Sequence, residues 1–285
     1  MLFLILSILS SVIVGVIFKI SRKYSSNTTQ IVAWNYVFAL LLCYFIFSPD
    51  ISTIDATAPW SIYVPLGILL PAIFLFLAAS IQHMGIVKTD AAQRLSLFIP
   101  ILAAWLLFNE EFNSLKVIAF VIALPALLLI LSKKTENKNN KWVYPMVVLV
   151  GFGVIDILFK QIALATILPF TSSLFIVFSI SLLIMIAAVL YEVVVKKIKI
   201  SVINFLVGAL VGVFNFSNIF FYLKAHQAFA KNPSTVFAAM NMGVIVVGSL
   251  VGVIAFKEKL STKNYIGLIF ALVAIILITA SQIGS

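Results

Sequence analysis

The sequence predicts an all-α membrane protein of ten transmembrane helices, built as two inverted five-helix repeats. Three observations predict it. Apolar residues make up 63% of the chain and charged residues 10%, against about 45–50% and about 25% in soluble domains, and the mean hydropathy is +1.21. The apolar residues gather into ten runs, each near the roughly 20 residues that cross about 30 Å of hydrocarbon as a helix. Finally, the stretch Trp105–Phe120, with Phe108-Asn109-Glu110, returns at Val253–Leu268 with Phe256-Lys257-Glu258, a shift of 258 − 110 = 148 residues. Both copies stop an apolar run at a carboxylate, cross a short polar link and begin another run.

In chain order the runs are Leu2–Ile20, Gln30–Phe47, Ile62–Gln82, Ala91–Phe108, Leu115–Leu131, Trp142–Ala163, Ser172–Val195, Val202–Leu223, Ser234–Phe256 and Asn264–Ala280. Each is expected to be helical despite its β-branched residues, because lipid offers the backbone no outside partner. The first run has no basic n-region and no small-residue cleavage site, so it is expected to be a retained span and not a signal peptide. Ser132–Lys141 is the most polar stretch and lies near the midpoint. It divides a first repeat, residues 1–131, from a second, residues 142–285, with 132–141 as linker.

Further pairs keep the same order in the two halves. Phe18-Lys19 answers to Phe159-Lys160 at a shift of 141, and His83 to His226 at 143; an insertion around Ala228–Pro233 accounts for the growth to 148. Five spans per repeat is an odd number, so the copies enter the membrane in opposite directions, and substrate is expected near the midplane between them.

Basic residues set the expected orientation. Loops after the odd spans, with flanking turns, hold Lys19, Arg22, Lys23, Lys88, Arg94, Lys133, Lys134, Lys138, Lys141, Lys196, Lys197, Lys199, Lys257, Lys259 and Lys263. The other side holds Lys116, Lys160, Lys224 and Lys231. Fifteen against four puts both termini outside the cytoplasm of a cell (inner) membrane. The net charge of +10 is thereby explained by topology and lipid headgroups, and nucleic acid is not an expected partner.

Ten spans, a five-plus-five repeat, and Glu110 and Glu258 closing spans four and nine resemble the drug/metabolite transporter superfamily, in its EamA-like ten-span members. Pro100, ten residues before Glu110, and Gly267 in the last span belong to the same likeness. The halves depart from one another: Gly248 stands where the first has Pro100, and Ala119 where the second has Gly267. The resemblance implies metabolite transport, often efflux, through a central cavity. It also implies cytoplasmic termini for many members, the reverse of the charge count, which is retained here.

Ionisable groups inside spans are functional candidates because they are costly in hydrocarbon. Asp156 and Lys160 lie four apart in span six, suited either to substrate or proton binding or to neutralising one another. Asp90 and Arg94 form a second such pair beside Gln93; Arg94 either grips an anionic group bidentately or snorkels to the interface. In span eight, Gly208 and Gly212 allow close helix approach, while Asn215 and Asn218 reach mid-membrane. Span nine adds Asn241, and Asn35 and Gln82 lie nearer the interface. Glu110 and Glu258 are expected to be structural, complementing the dipole of the following helix within reach of water, and His83 and His226 to be inert interfacial-loop residues.

Two His and one Cys far apart make no metal site, and no phosphate-binding loop is present. No cofactor is expected, with proton coupling left open. The expected protein is therefore not an enzyme but a secondary transporter, monomer or homodimer, exporting a small polar metabolite such as an amino acid. A sugar or nucleotide-sugar carrier of the same fold, a channel and an intramembrane enzyme are the alternatives.

Overall fold

Eleven helices form in the computed structural model, which describes residues 1–285 except 22, 25, 51–53, 85, 131–140, 166, 258–260 and 282–285, and omits the side chains of 82, 86–88, 90, 91, 127 and 130. Most of the expected linker, Glu258, and the side chains of Gln82 and Asp90 therefore lie outside the described residues. The helices are α1 (Leu2–Ser21), α2 (Thr28–Phe47), α3 (Trp60–Met84), α4 (Ile86–Leu95), α5 (Phe98–Leu106), α6 (Ser114–Ile130), α7 (Val143–Leu164), α8 (Phe170–Val194), α9 (Val202–Ala228), α10 (Pro233–Phe256) and α11 (Thr262–Ala280). No strand occurs among the described residues. Eight of these helices are long and apolar enough to cross a membrane, and the apolar segments Ala92–Leu106 and Ser114–Ala126 are shorter. The chain is an all-α, multi-pass membrane protein.

The fourth run is not the single helix expected of Ala91–Phe108. It breaks between α4 and α5 at Ser96–Leu97, and Pro100 explains the position. A proline has no N–H to give the carbonyl four residues back, and its ring crowds that carbonyl, which here belongs to Ser96. The Ser96 carbonyl instead accepts from the Ile99 N–H at 3.0 Å, and the Ser96 hydroxyl donates to the Gln93 carbonyl at 2.6 Å. In α10, Gly248 stands at the corresponding place and the helix runs on unbroken.

Helices pack mainly across the halves. α3 lies on α7 and α8, α9 lies on α1 and α2, and α2 meets α8 as α6 meets α11. Hydrogen bonds at the ends show the last two pairs to be antiparallel. Thr29 Oγ1 at the start of α2 donates to Glu192 at the end of α8, and Cys43 near the end of α2 donates to the Thr171 carbonyl at the start of α8. Likewise the Asn113 amide before α6 donates to the Ser281 carbonyl after α11, and Asn264 at the start of α11 donates to the Leu129 carbonyl of α6.

Glycines set the closest approaches. A Cβ on Gly208 would lie 2.8 Å from the Ile31 carbonyl oxygen and 2.4 Å from Trp34 Cβ, and one on Gly212 would lie 2.8 Å from the Asn35 oxygen. The helix contact expected of these two glycines is therefore made, and its partner is α2. Gly67 of α3 meets Ile180 and the Val177 carbonyl of α8 in the same three-residue pattern, at 2.7 and 3.3 Å.

Helix ends alternate between two faces of the bundle, called here the Lys19 end and the Glu110 end. Large apolar side chains such as Val202 and Ile254 lie outward, 74% and 77% exposed, as a lipid-facing surface requires.

Candidate functional site

A cavity of about 570 Å³ lies between α1, α3, α4, α7, α9, α10 and α11, with the start of α2 at its edge. Its walls reach the Lys19 end, where Lys19, Thr28, Phe256 and Asn264 form the rim. Deeper in, Ser11, Phe152, Asn215, Asn218 and Gly248 surround it. A Cβ on Gly15 or Gly248 would meet nothing within 4 Å, because both glycines face open space.

Four of the expected site residues meet here: Gln93, Arg94, Asn215 and Asn218. The helix break at Ser96 carries Gln93 and Arg94 to the wall. The amides are oriented by their own hydrogen bonds. Asn215 Nδ2 donates to Asn35 Oδ1 at 3.1 Å, and Asn218 Nδ2 donates to the Ser7 carbonyl at 2.9 Å. The Ser7 hydroxyl in turn donates to the Asn218 carbonyl at 3.0 Å. Both amide N–H₂ groups thus donate to protein, and both residues line the cavity.

The other candidates stand elsewhere. Asn35 is buried behind Asn215. Asn241 donates to its own helix, to the Phe237 carbonyl at 3.0 Å. Asp156 and Lys160 do not line the cavity, and they are not joined as a pair. Asp156 Oδ1 accepts from the Tyr222 hydroxyl at 2.8 Å, while Lys160 Nζ donates to the Ala230 carbonyl at 2.8 Å. The four-residue spacing puts both on one face of α7, but each finds a closer partner on α9 or just beyond it.

Glu110 departs from expectation in two respects. It is 3% exposed and so out of reach of water, and the helix it caps is α10, not the following α6. Its carboxylate accepts from the Ser234 N–H at 2.8 Å and the Ser234 hydroxyl at 2.5 Å, in the first turn of α10, where a negative charge is favoured. Lys116 Nζ donates to the same carboxylate at 2.7 Å and to Asn232 Oδ1 at 2.7 Å. With Lys160 on Ala230, three charged side chains hold the connection between α9 and α10 and seal the Glu110 end.

His226 corrects a second expectation. It lies within α9 and not in a loop, is fully buried, and packs against the rings of Tyr222 at 4.6 Å and Phe237 at 4.9 Å. His83 lies in the last turn of α3 and stacks on Tyr144 at 4.8 Å. The stripe Ser11, Gly15, Lys19, four apart on α1, also lines the cavity; its small and polar residues on an otherwise apolar helix were the sequence signal for it.

The chain is similar to known proteins in sequence and in fold. The family model described as the EamA-like transporter family matches residues 1–132. A protein of Haemophilus influenzae described as uncharacterized is 42% identical over 284 residues, 95% of each chain. A solved crystal structure shares the fold with TM-score 0.70 at 10% identity, covering 97% of this chain and 98% of its own. With its all-helical membrane bundle, the chain belongs over residues 1–132 to the EamA-like transporter family and is a membrane transporter of the drug/metabolite type.

Proposed function

We propose that the protein is a secondary carrier that moves a small polar metabolite by alternating access between two inverted five-helix repeats. The observation that carries this reading is the cavity itself. It is reached from the Lys19 end, its polar residues come from both halves, and below it Tyr222, Lys160 and His226 are all buried. An access route that stops at a sealed floor suits a carrier better than a channel, which needs a continuous path.

Several relationships support the repeats. Under a swap of halves, α9 on α1 and α2 answers to α3 on α7 and α8. The antiparallel α2–α8 and α6–α11 pairs are what an axis lying in the membrane plane produces. Counting α4 and α5 as one span and α6 as another gives ten. By the basic-residue bias the Lys19 end faces the cytoplasm and both termini face away, so the cavity as seen would load from inside for export.

The lining points to a zwitterionic solute such as an amino acid. Asn215 and Asn218 offer acceptors for an ammonium or hydroxyl group, and Arg94 offers a guanidinium for a carboxylate. Screening metabolites for a rise in melting temperature identifies ligands, since whatever binds the folded state stabilises it. A hit should then show saturable uptake into proteoliposomes, and Asn218→Ala should raise its KM. Non-saturating flux would instead indicate a channel, and chemical conversion of the hit an enzyme.

A further inference from the structure

Below the cavity floor, two adjacent helices carry matching ladders of side chains. On α7, Phe152 is followed at four-residue steps by Asp156 and Lys160; on α9, Asn218 is followed by Tyr222 and His226. Phe152 and Asn218 face the cavity. One turn on, Tyr222 donates to Asp156. Another turn on, Lys160 and His226 lie within Coulombic reach of one another, and Lys160 within that of Glu110. Ionisable groups thus run from the floor of the cavity to the seal at the Glu110 end.

We propose that Asp156, Tyr222, His226 and Lys160 form a proton-binding site between the cavity floor and the sealed end. This deepens the carrier reading by naming its coupling ion, and its role in coupling rests on that reading.

Three observations carry it. First, a cluster kept only for packing would neutralise itself, yet Asp156 and Lys160, one turn apart and buried, are not joined. Second, a neutral imidazole has one N–H and one lone pair to satisfy, and both ring nitrogens of His226 lack a hydrogen-bond partner although the residue is fully buried. Packing alone gives no reason to keep that penalty, whereas a group that gains and loses a proton needs such capacity in one of its states. Third, Lys160 and His226 are 0% exposed, so no solute fits among them, and a proton does.

The surroundings of His226 leave the cluster to govern it. On α9 itself it faces Tyr222, while Lys224 turns to the rings of Phe170 and Phe220. α7 supplies Asp156 and Lys160, and beyond them stand Glu110 and Lys116. α10 and α2 carry no Asp, Glu, Lys, Arg or His, and α1 carries only Lys19, at the opposite end. The step is a simple exchange with water: a proton from the aqueous phase binds the Asp156 carboxylate, adding an O–H donor to what was an acceptor only and changing its bond with Tyr222, and leaves to water again when the site opens.

The test needs no solute. Infrared difference spectra of the full chain in nanodiscs, taken across an acid-to-alkaline pH step, should show a protonated-carboxyl band that disappears on alkalinisation. Asp156→Asn should abolish the band, and Tyr222→Phe and His226→Gln should each move its midpoint by about one pH unit. Absence of a titrating band, its survival in Asp156→Asn, or an unmoved midpoint in both other variants would overturn the proposal. If Asp156→Asn does not fold, Asp156→Glu decides: a band that changes frequency with the longer side chain supports the site, and an unchanged band sinks it. A titrating Asp156 without saturable uptake of any solute would remove the carrier reading and leave the proton site standing; uptake without a titrating Asp156 would do the reverse.

Discussion

The ammonium of Lys19 stands 3.9 Å from the centroid of the Phe256 ring. Lys160 and Phe108 make the corresponding contact at 6.0 Å. Lys19 answers to Lys160 in the sequence, and Phe256 to Phe108, so each contact joins a lysine of one half to a phenylalanine of the other, at opposite ends of the bundle. The looser contact belongs to the lysine that also donates to the Ala230 carbonyl. Cation–π contacts contribute about 0.5–2 kcal/mol depending on desolvation, so each contact adds to the hold between the halves at its own end.

Gly212→Leu should disrupt the fold. Its Cβ would meet the Asn35 carbonyl at 2.8 Å and Phe38 Cβ at 2.7 Å, contacts that only separation of α2 and α9 relieves. Size-exclusion chromatography in detergent should show loss of the monodisperse peak. Retention of that peak with an unchanged melting temperature would show that the helices do not approach so closely.

Gly248→Leu should do the opposite. Its side chain enters open space at the cavity wall, so the melting temperature should hold while uptake of the identified solute falls at least about tenfold, equivalent to about 1.4 kcal/mol. Normal uptake by this variant would mean that the solute passes elsewhere.

Glu110→Ala removes the carboxylate from a buried Lys116 whose side chain is 2% exposed. Breaking one partner of a buried pair costs about 3–5 kcal/mol, and the first turn of α10 loses its cap as well. Replacing the pair together, Glu110→Leu with Lys116→Met, should recover part of the loss in a thermal unfolding series. A double variant no more stable than the single one would show that the cap at Ser234, and not the ion pair, dominates.

The charge bias predicts that alkaline phosphatase fused after residue 285 is active in a bacterial host and that a fluorescent protein fused there is dark. Fluorescence without phosphatase activity would reverse the orientation and make the cavity open outward.

The helices were legible because hydrocarbon enforces length and composition, and the Gly208–Gly212 contact because small residues four apart have one use in a helix pair. The break at Ser96 was only partly legible: the missing N–H of Pro100 points to the carbonyl four residues back, but Pro65, Pro71 and Pro125 lie inside helices that continue. The position of His226 was not. It follows Lys224 and precedes Gln227, which together suggest a membrane surface, but Lys224 reaches sideways to the rings of Phe170 and Phe220 and α9 continues to Ala228. The partners of Asp156 and Glu110 were equally hidden. Tyr222 lies on α9 and Ser234 on α10, while Lys116 comes from α6, and spacing along one helix says nothing about which distant helix supplies a donor.

The exchange of α3 and α9 between the halves has a consequence for biosynthesis. As the chain leaves the ribosome, α1 to α6 enter the bilayer before α7 and α8, the principal partners of α3, exist. Gly67 waits for Ile180, and the Asn35 carboxamide waits in lipid for Asn215. Insertion of the early helices must therefore tolerate unsatisfied polar groups until the second half arrives, and a chain truncated near residue 141 should be recognised by membrane quality control as incomplete, not persist as a stable unit.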